Sequence, residues 1–276
     1  MNMMKVAFFT GLRALEVLER PRPVLERPGD VLVRVDTLGV CGSDIHYYTA
    51  GRIGGQVIEY PATLGHECAG TVAEVGVGDD RLAKGQRVAI DPAISCGDCD
   101  QCRAGRAHTC RDLQFLGCPG QAPGAAAEYI TIDAGSCYPI PDSMTMVQAA
   151  LVEPLSVAIH ARRLAGLQPG SAVGILGAGP IGLCTLLSVR ALGPCRAFVT
   201  DLLDNRLGLA KRCGADWTGV PTRGDAVADI LQEEPGGLDC VFECAGEQAA
   251  LDQAVELLKP GGLLVLAGIP EGDQIH

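Results

Sequence analysis

Four cysteines follow one another at short intervals in the later part of the first half of the chain. Cys96, Cys99, Cys102 and Cys110 have the spacing C-x2-C-x2-C-x7-C. Thiolates spaced in this way can surround one tetrahedral zinc ion, and four protein ligands leave no coordination position open. The pattern therefore predicts a structural zinc site. His108 lies in the same segment, but four thiolates already complete the tetrahedron.

A second group of metal-ligand residue types is spread more widely. Cys41 follows Gly39-Val40, His66 and Glu67 are adjacent, and Glu153 precedes a proline. Each segment alone is a weak signal, since Cys41 can equally be a buried thiol. Together they supply a thiolate, an imidazole and two carboxylates, which suits a catalytic zinc with three protein ligands and an open fourth position.

A glycine-rich turn with the pattern G-x-G-x-x-G follows a predicted strand and begins a predicted helix. Gly177 allows a tight turn, Gly179 lets the backbone approach a pyrophosphate, and Gly182 permits close helix packing. Pro180 and Ile181 complete the turn at the helix N-terminus, where a pyrophosphate binds. The alternative is a plain turn of an α/β protein. In this context the pattern favours a dinucleotide cofactor.

The carboxylate that ends the next predicted strand bears on which dinucleotide binds. Asp201 can bond the ribose hydroxyls and would repel a 2′-phosphate, so the sequence favours NAD over NADP. Arg206 is the one nearby residue that argues for a phosphate. Asp201 can alternatively cap the following helix, a role that Asp204 also fits.

The pattern of predicted secondary structure changes near residue 171. Residues 1 to about 155 carry short β-type runs separated by Gly and Pro, such as 31–35, 71–75 and 87–90, and predict an irregular, mostly-β domain. Strands and helices then alternate, which predicts a doubly wound parallel sheet and an α/β fold class. We predict domains 1–155 and 156–276, joined by a helical stretch at 145–165. The predicted strands of the second domain are 172–176, 197–201, 216–220, 239–243 and 263–267.

Composition excludes several classes of protein. The 276 residues carry a net charge of −11 and the pI is about 4.9, which argues against nucleic acid or an anionic membrane as partner. The N-terminus lacks the apolar length of a signal peptide, so we expect a cytoplasmic protein. Thirteen cysteines without an export signal indicate reduced thiols and metal ligation. Eight lie outside the two groups and are expected to be small buried residues: Cys68, Cys118, Cys137, Cys184, Cys195, Cys213, Cys240 and Cys244.

These segments together resemble the zinc-dependent medium-chain dehydrogenase family, and within it the polyol dehydrogenases such as those acting on sorbitol. The resemblance spans nearly the whole chain, and its polyol part depends mainly on Tyr47-Tyr48 with Gly51-Arg-Ile-Gly54. It implies a GroES-like catalytic domain, a Rossmann domain, one catalytic and one structural zinc, and NAD. The segments that carry it are 41–48, 51–54, 65–67, 96–110, 153–156 and 177–182.

The resemblance implies a role for each residue of the widely spread group. Cys41 and His66 would bind the catalytic zinc, with Glu67 as the third ligand in the polyol enzymes. Glu153 would be either a ligand or a partner of the zinc-bound water, and the choice between the two glutamates stays open. Zinc would act as a Lewis acid on a secondary alcohol whose hydride passes to NAD.

Four further residues receive roles from the same resemblance. Ser43 would bond the substrate hydroxyl and pass its proton through the cofactor ribose toward His46. Tyr47 and Phe115 would shape the substrate pocket. His46 can alternatively be a surface histidine, and Tyr47 can pack at the rim of a core. His160 is expected to be a packing residue on the connecting helix.

The family's chains continue through a sixth strand, which often forms the dimer edge. We therefore expect this chain to be a fragment or a truncated reading frame, with homo-oligomers formed by a full-length form.

The sequence leaves two alternatives to a polyol dehydrogenase. One is another zinc alcohol dehydrogenase, acting on threonine or butanediol; the other is a catalytically silent protein that binds zinc and NAD.

Overall fold

Antiparallel strands build the first of two units into which the chain divides, Met1–Glu153 and Pro154–His276. The computed structural model describes residues 2–78 and 80–270. The predicted domain boundary after residue 155 lies two residues beyond this division. The end of the chain, for which we expect a truncated domain, lies outside the described residues.

The described residues of the first unit form eleven short strands and three helices, together with 3-10 turns at Ala107–Thr109 and Ala134–Ser136. The strands are β1 Met3–Gly11, β2 Ala14–Pro21, β3 Asp30–Leu38, β4 Arg52–Ile53, β5 Gln56–Val57, β6 Cys68–Val75, β7 Arg87–Ile90, β8 Ala93–Ile94, β9 Gln114–Phe115, β10 Tyr129–Asp133 and β11 Cys137–Pro139. The helices are α1 Gly42–Ala50, α2 Asp100–Arg103 and α3 Met146–Ala150, and α4 Val152–Leu164 continues into the second unit.

The core of the first unit lies against a five-stranded antiparallel sheet in the order β10-β3-β6-β7-β11. Strand β3, between β10 and β6, buries Val31, Leu32 and Val33 almost completely. β-Branched residues of this kind pack well on a pleated surface. The three strand segments predicted here from the sequence, within β3, β6 and β7, are confirmed.

Strands β8 and β9 form a short hairpin that carries the four-cysteine segment. Ala93 pairs with Phe115 and Ile94 with Gln114, so residues 95–113 leave and rejoin the unit at one place. The cysteine lobe, residues 96–112, is therefore the loop of this hairpin.

A parallel five-stranded sheet in the order β14-β13-β12-β15-β16 forms the second unit. Numbered along the unit, this order is 3-2-1-4-5, which agrees with the doubly wound sheet that the sequence predicts. Its strands are β12 Ala172–Leu176, β13 Arg196–Thr200, β14 Trp217–Gly219, β15 Leu238–Glu243 and β16 Leu258–Leu266. Its helices are α5 Pro180–Leu192, α6 Asp204–Arg212, α7 Ala226–Glu233 and α8 Gln248–Leu257.

All five predicted strands are present, β12 with the predicted limits and the other four with different ones. Strand β16 begins five residues before the predicted start, because Leu258 pairs with Leu238 before a register shift in β15. Gly261 and Gly262 lie inside this strand. Glycines are usually taken as the end of a strand, which explains the late predicted start.

Strand β12 is buried along its whole length, and its side chains point alternately into two cores. Val173 and Ile175 belong to one cluster, and Ala172 and Leu176 to the other. Burial on both faces is typical of the central strands of a parallel sheet. The uncharged run 171–188 is thus strand, turn and helix. Within the described ranges, no helix is both long and apolar enough to cross a lipid bilayer.

Candidate metal centres and cofactor turn

The sulfur atoms of the cysteine lobe converge. Cys99 Sγ lies 3.5 Å from Cys102 Sγ and 3.9 Å from Cys110 Sγ, and Cys96 Sγ lies 4.0 Å from Cys102 Sγ. Four sulfurs bound to one zinc at about 2.3 Å would be about 3.8 Å apart. The lobe thus fits a single tetrahedral zinc.

Backbone N–H groups point at these sulfurs. Cys96 N donates to Cys110 Sγ at 3.3 Å, and Cys99 N donates to Cys96 Sγ at 3.4 Å. The N–H groups of Arg111 and Cys102 lower the pKa of the Cys99 thiol to about 6. A lowered pKa favours the thiolate, which is the form that binds metal.

Donor atoms of Cys41, His66 and Glu67 form the second convergent group, all within 4.8 Å of one another. Cys41 immediately precedes α1, whereas His66 and Glu67 immediately precede β6 and are each 8% exposed. Burial raises the pKa of both Cys41 and Glu67. A metal ion would therefore have to displace protons from this group. A thiolate, an imidazole and a carboxylate suit a zinc with one coordination position open.

Asp44 holds the two ligand segments together, a role that sequence reasoning missed. Its carboxylate is buried and accepts from Cys41 N at 3.0 Å and from Gly65 N at 3.2 Å. Hydrogen bonds from neutral donors to a carboxylate are stronger than those between neutral groups. The sequence signal was a carboxylate three residues after a candidate ligand, at the start of a helix.

Gly39 leaves the space that the Glu67 side chain occupies. A Cβ atom at Gly39 would lie 2.3 Å from Glu67 Oε2 and 2.9 Å from Glu67 Cβ. In addition, Gly39 N donates to the Glu67 carbonyl at 2.7 Å. Any larger residue at position 39 would push the carboxylate out of the group, so this glycine also belongs to the site.

His66 is positioned by close packing with β9 and the segment that follows it. Its ring meets the Phe115 ring edge-on, with centroids 5.2 Å apart. Gly117 packs directly on Gly65, since a Cβ at Gly117 would lie 2.7 Å from the Gly65 carbonyl oxygen. Ala125 N also donates to that oxygen at 2.8 Å. Phe115 thus lies next to a metal-ligand candidate, and its predicted role in the substrate pocket stays a prediction.

Glu153 lies near the group without belonging to the set of convergent donors. Burial raises the pKa of its carboxyl, whereas the nearby His66 lowers it and the charge of Glu67 raises it. The side chain is therefore within electrostatic reach of two candidate ligands. This separates the two glutamates by geometry: Glu67 joins Cys41 and His66, and Glu153 stands beside them.

The remaining predicted residues of the first unit lie on α1. Ser43 and His46 are half-buried and three residues apart, and the Ser43 hydroxyl hydrogen-bonds the Cys41 sulfur. Tyr47 is only 4% exposed and packs with Ile58 and Leu64. Its predicted contact with substrate stays a prediction, and its core packing agrees with the alternative that the sequence left open.

The glycine turn of the second unit has the conformation that its pattern predicts. Gly177 has φ +102°, and a Cβ there would lie 2.9 Å from Ala245 N. A Cβ at Gly182 would lie 1.8 Å from the Gly177 carbonyl oxygen. Gly179 faces open space and precedes α5, which begins at Pro180 with Ile181 next. An open helix N-terminus of this kind can receive a pyrophosphate.

Asp201 is bonded to this turn. Its carboxylate is 8% exposed and accepts from Ala178 N at 2.8 Å and from Leu203 N at 2.9 Å. Arg206 approaches the same carboxylate at 3.5 Å. The side chain thus lies beside the turn, where a ribose would bind, and it also holds the start of the loop before α6. Asp204, which could have been the cap, instead pairs with Arg223.

Glu243 is a second buried carboxylate that sequence reasoning missed. It is 3% exposed and accepts from Ala245 N at 2.7 Å and Gly246 N at 2.8 Å. These residues form the turn on which Gly177 packs. Its signal was a carboxylate at the end of a predicted buried strand, where charges are rare.

The chain is similar to known proteins over nearly its whole length. Residues 27–142 match the family described as Alcohol dehydrogenase GroES-like domain, and residues 180–275 match the family described as Zinc-binding dehydrogenase. The chain is 41% identical to sorbitol dehydrogenase of Bacillus subtilis (strain 168), over 99% of this chain and 77% of that protein. It is 36% identical to L-idonate 5-dehydrogenase of Vitis vinifera, over 97% and 74% respectively.

A solved structure is also similar to this chain. It is of a protein described as a zinc-binding dehydrogenase from Sinorhizobium meliloti 1021, bound to NADP, with a TM-score of 0.90 and 35% identity. The match covers all of this chain and 80% of that one. The chain therefore belongs to the zinc-dependent medium-chain dehydrogenase family, and it is an oxidoreductase.

Proposed function

We propose that the protein oxidises a secondary hydroxyl of a polyol to a ketone and transfers the hydride to NAD. The observation that carries the proposal is the convergence of three donors of different types, Cys41, His66 and Glu67. Three donors on a tetrahedral ion leave one position for the substrate oxygen. The relatives that act on sorbitol and L-idonate support a polyol as substrate.

Cys41, His66 and Glu67 would hold a catalytic zinc, and the four lobe cysteines would hold a structural one. When bound in the open group, zinc acts as a Lewis acid that lowers the pKa of the substrate hydroxyl. Asp44 keeps the ligand segments together, and Gly39 leaves room for the Glu67 carboxylate. We assign Glu153 to a neighbouring position, where its charge acts on His66 and Glu67.

Proton removal falls to two residues of α1. Ser43 and His46 are three residues apart, so they share one face of the helix. We assign the Ser43 hydroxyl to accept the proton of the substrate hydroxyl while it passes its own proton through the cofactor ribose toward His46, and His46 to release a proton to solvent. Substitution of His46 by Ala should slow oxidation most at low pH, where solvent is a poor proton acceptor.

The cofactor would bind at the glycine turn, with its pyrophosphate at the N-terminus of α5. The half-exposed Arg206 reaches Asp201 at 3.5 Å. The Asp201 carboxylate favours the ribose hydroxyls of NAD, whereas the Arg206 guanidinium favours the 2′-phosphate of NADP. We propose NAD, because the buried carboxylate lies against the turn itself. The test is the ratio of kcat/KM for NAD to that for NADP, which Asp201→Ala should shift toward NADP. An unchanged ratio would assign specificity elsewhere.

The test of the whole proposal is NAD reduction by the zinc-loaded chain with sorbitol, xylitol, L-threonine, 2,3-butanediol and ethanol. We expect turnover with the two polyols above the other alcohols. Faster turnover of L-threonine or butanediol would assign the other alcohol class. Bound zinc and NAD without any turnover would favour the catalytically silent alternative.

A further inference from the structure

The Tyr47 hydroxyl has a side-chain partner that the sequence pattern did not indicate. Although Tyr47 is nearly buried, its hydroxyl donates to Gln56 Oε1 at 2.8 Å. Burial raises the pKa of Tyr47 to about 12, so the hydroxyl keeps its proton at neutral pH and remains a donor. A buried phenol that lost this partner would be left unsatisfied.

The Gln56 amide is held from its other side as well. Its Nε2 donates to Cys118 Sγ at 2.8 Å and faces the Pro119 carbonyl oxygen at 3.4 Å. A carbonyl oxygen can only accept a hydrogen bond, so the amide has one orientation. Gln56 itself is half-buried, so the residue is not sealed inside the core.

Cys118 connects the amide to the metal-ligand group. Its backbone N–H donates to the Phe115 carbonyl at 3.1 Å, and the Phe115 ring contacts His66. Gln56 thus bridges helix α1 and the turn after Phe115. Helix α1 starts next to the candidate ligand Cys41, and Phe115 contacts the candidate ligand His66. These two segments are far apart in the sequence, so the hydrogen bonds of the Gln56 amide help to set the distance between them.

We propose that Gln56 is a positioning residue that gives this site its preference for hydroxylated substrates. Its hydrogen bonds fix the position of Tyr47 relative to the 115–118 turn. The polar groups of Tyr47 and Gln56 then form an edge of the substrate pocket, called here the polar edge, whose position does not change. Besides the bond between them, the Tyr47 hydroxyl oxygen and Gln56 Oε1 can each accept a further hydrogen bond, and a site with such oriented groups favours molecules that can donate to them. A polyol gains from this edge, whereas an apolar secondary alcohol does not. The inference rests on the proposed polyol dehydrogenase function.

The test compares Gln56→Leu with the unchanged chain on xylitol and on 2-propanol, each as kcat and KM in the zinc-loaded protein. We expect kcat/KM for xylitol to fall roughly tenfold, mainly through KM, and that for 2-propanol to change less than about twofold. Gln168→Leu is the matched control, because among the described residues its amide bonds the Gly166 carbonyl alone, at 3.0 Å in the second unit. Both substrates should be unaffected there.

A double-mutant cycle with Tyr47→Phe separates positioning from general loosening. Because Gln56 acts through the Tyr47 hydroxyl, the double variant should discriminate no worse than Gln56→Leu alone. Cys118→Ser should keep the xylitol preference, since serine still accepts from the amide. Zinc content and thermal unfolding are measured for each variant. If Gln56→Leu does not fold, Tyr47→Phe, which removes one oxygen atom, tests the same link.

The outcomes separate the two claims. An equal loss with both substrates, or an unchanged ratio of xylitol to 2-propanol, overturns the role of Gln56 while leaving a polyol dehydrogenase in place. An unchanged chain that oxidises 2-propanol but no polyol overturns the proposed function and this inference together. Additive effects of the two substitutions would show that Gln56 does not act through Tyr47, which also contradicts the proposal.

Discussion

The two metal-ligand groups of the first unit are built in opposite ways. The lobe takes its four cysteines from one short segment, with Cys96 exposed and local N–H donors at the sulfurs. The open group takes Cys41 from one segment and His66 and Glu67 from another, and it depends on a buried carboxylate and a glycine between them. A site that only holds a metal can be encoded locally, whereas a site that must stay open to substrate needs the surrounding fold.

The largest expected effect separates the two groups by function. His66→Ala should lower turnover at least about thousandfold, because the loss of a ligand removes Lewis-acid activation, while the lobe keeps its zinc. Turnover and zinc content per chain are the measurements. Cys213→Ser, at a half-buried thiol of the second unit, is the control and should behave like the unchanged chain. Undiminished turnover in His66→Ala would make the catalytic-zinc assignment wrong.

The lobe should respond in stability rather than in chemistry. Cys99→Ser removes a thiolate from the closed set, and we expect the free energy of unfolding to fall by more than about 3 kcal/mol. The ratio of activities on two alcohols should stay constant in whatever protein remains folded. Chemical unfolding and the substrate ratio measure these two effects. A changed ratio with unchanged stability would reverse the contrast between the groups.

Asp44 tests whether the open group depends on tertiary support. Asp44→Asn keeps the shape but removes the charge that two N–H groups share. We expect zinc affinity of the open group to fall about 10- to 100-fold, the usual cost of losing an outer partner of a metal site. Competition with a chelator measures it. Asp36→Asn, whose carboxylate pairs with Arg34 instead, should leave affinity unchanged, and an equal loss in both variants would refute the support role.

The smallest expected effect is the pH dependence of the open group. Burial raises the pKa of the Cys41 thiol above its ordinary value, so the metal-free group holds this proton throughout neutral pH. Zinc must displace it, and affinity should therefore rise with pH by up to about tenfold per unit for that one proton. Zinc titrations between about pH 6 and 8 measure this slope. A flat profile would mean that Cys41 is not a ligand.

Local patterns predicted the features that depend on neighbours in sequence. The cysteine spacing, the glycine turn and the five parallel strands each follow from periodicity or from fixed intervals within one segment. The limits of β16 were wrong because its glycines lie inside a strand that starts by pairing with Leu238. Here the tertiary partner overrides the local signal.

Contacts between segments that are distant in the sequence could not be predicted from local patterns. Asp44 bonds Gly65 across twenty-one residues, and Gln56 bonds Cys118 across sixty-two. The clash that requires a glycine at position 39 is with a side chain far along the chain. Asp44, Gln56 and Gly39 can each be read in the sequence, but their partners are known only once the fold brings distant segments together.

The carboxylate of Asp201 has a kinetic consequence. Since it already bonds the Ala178 N–H, the glycine turn holds its shape by a bond within the protein rather than by one to the dinucleotide. Binding then requires no ordering of this turn, which would otherwise reduce affinity. The encounter resembles docking on a rigid receptor, and the association rate of the dinucleotide should follow diffusion and charge instead of a conformational step.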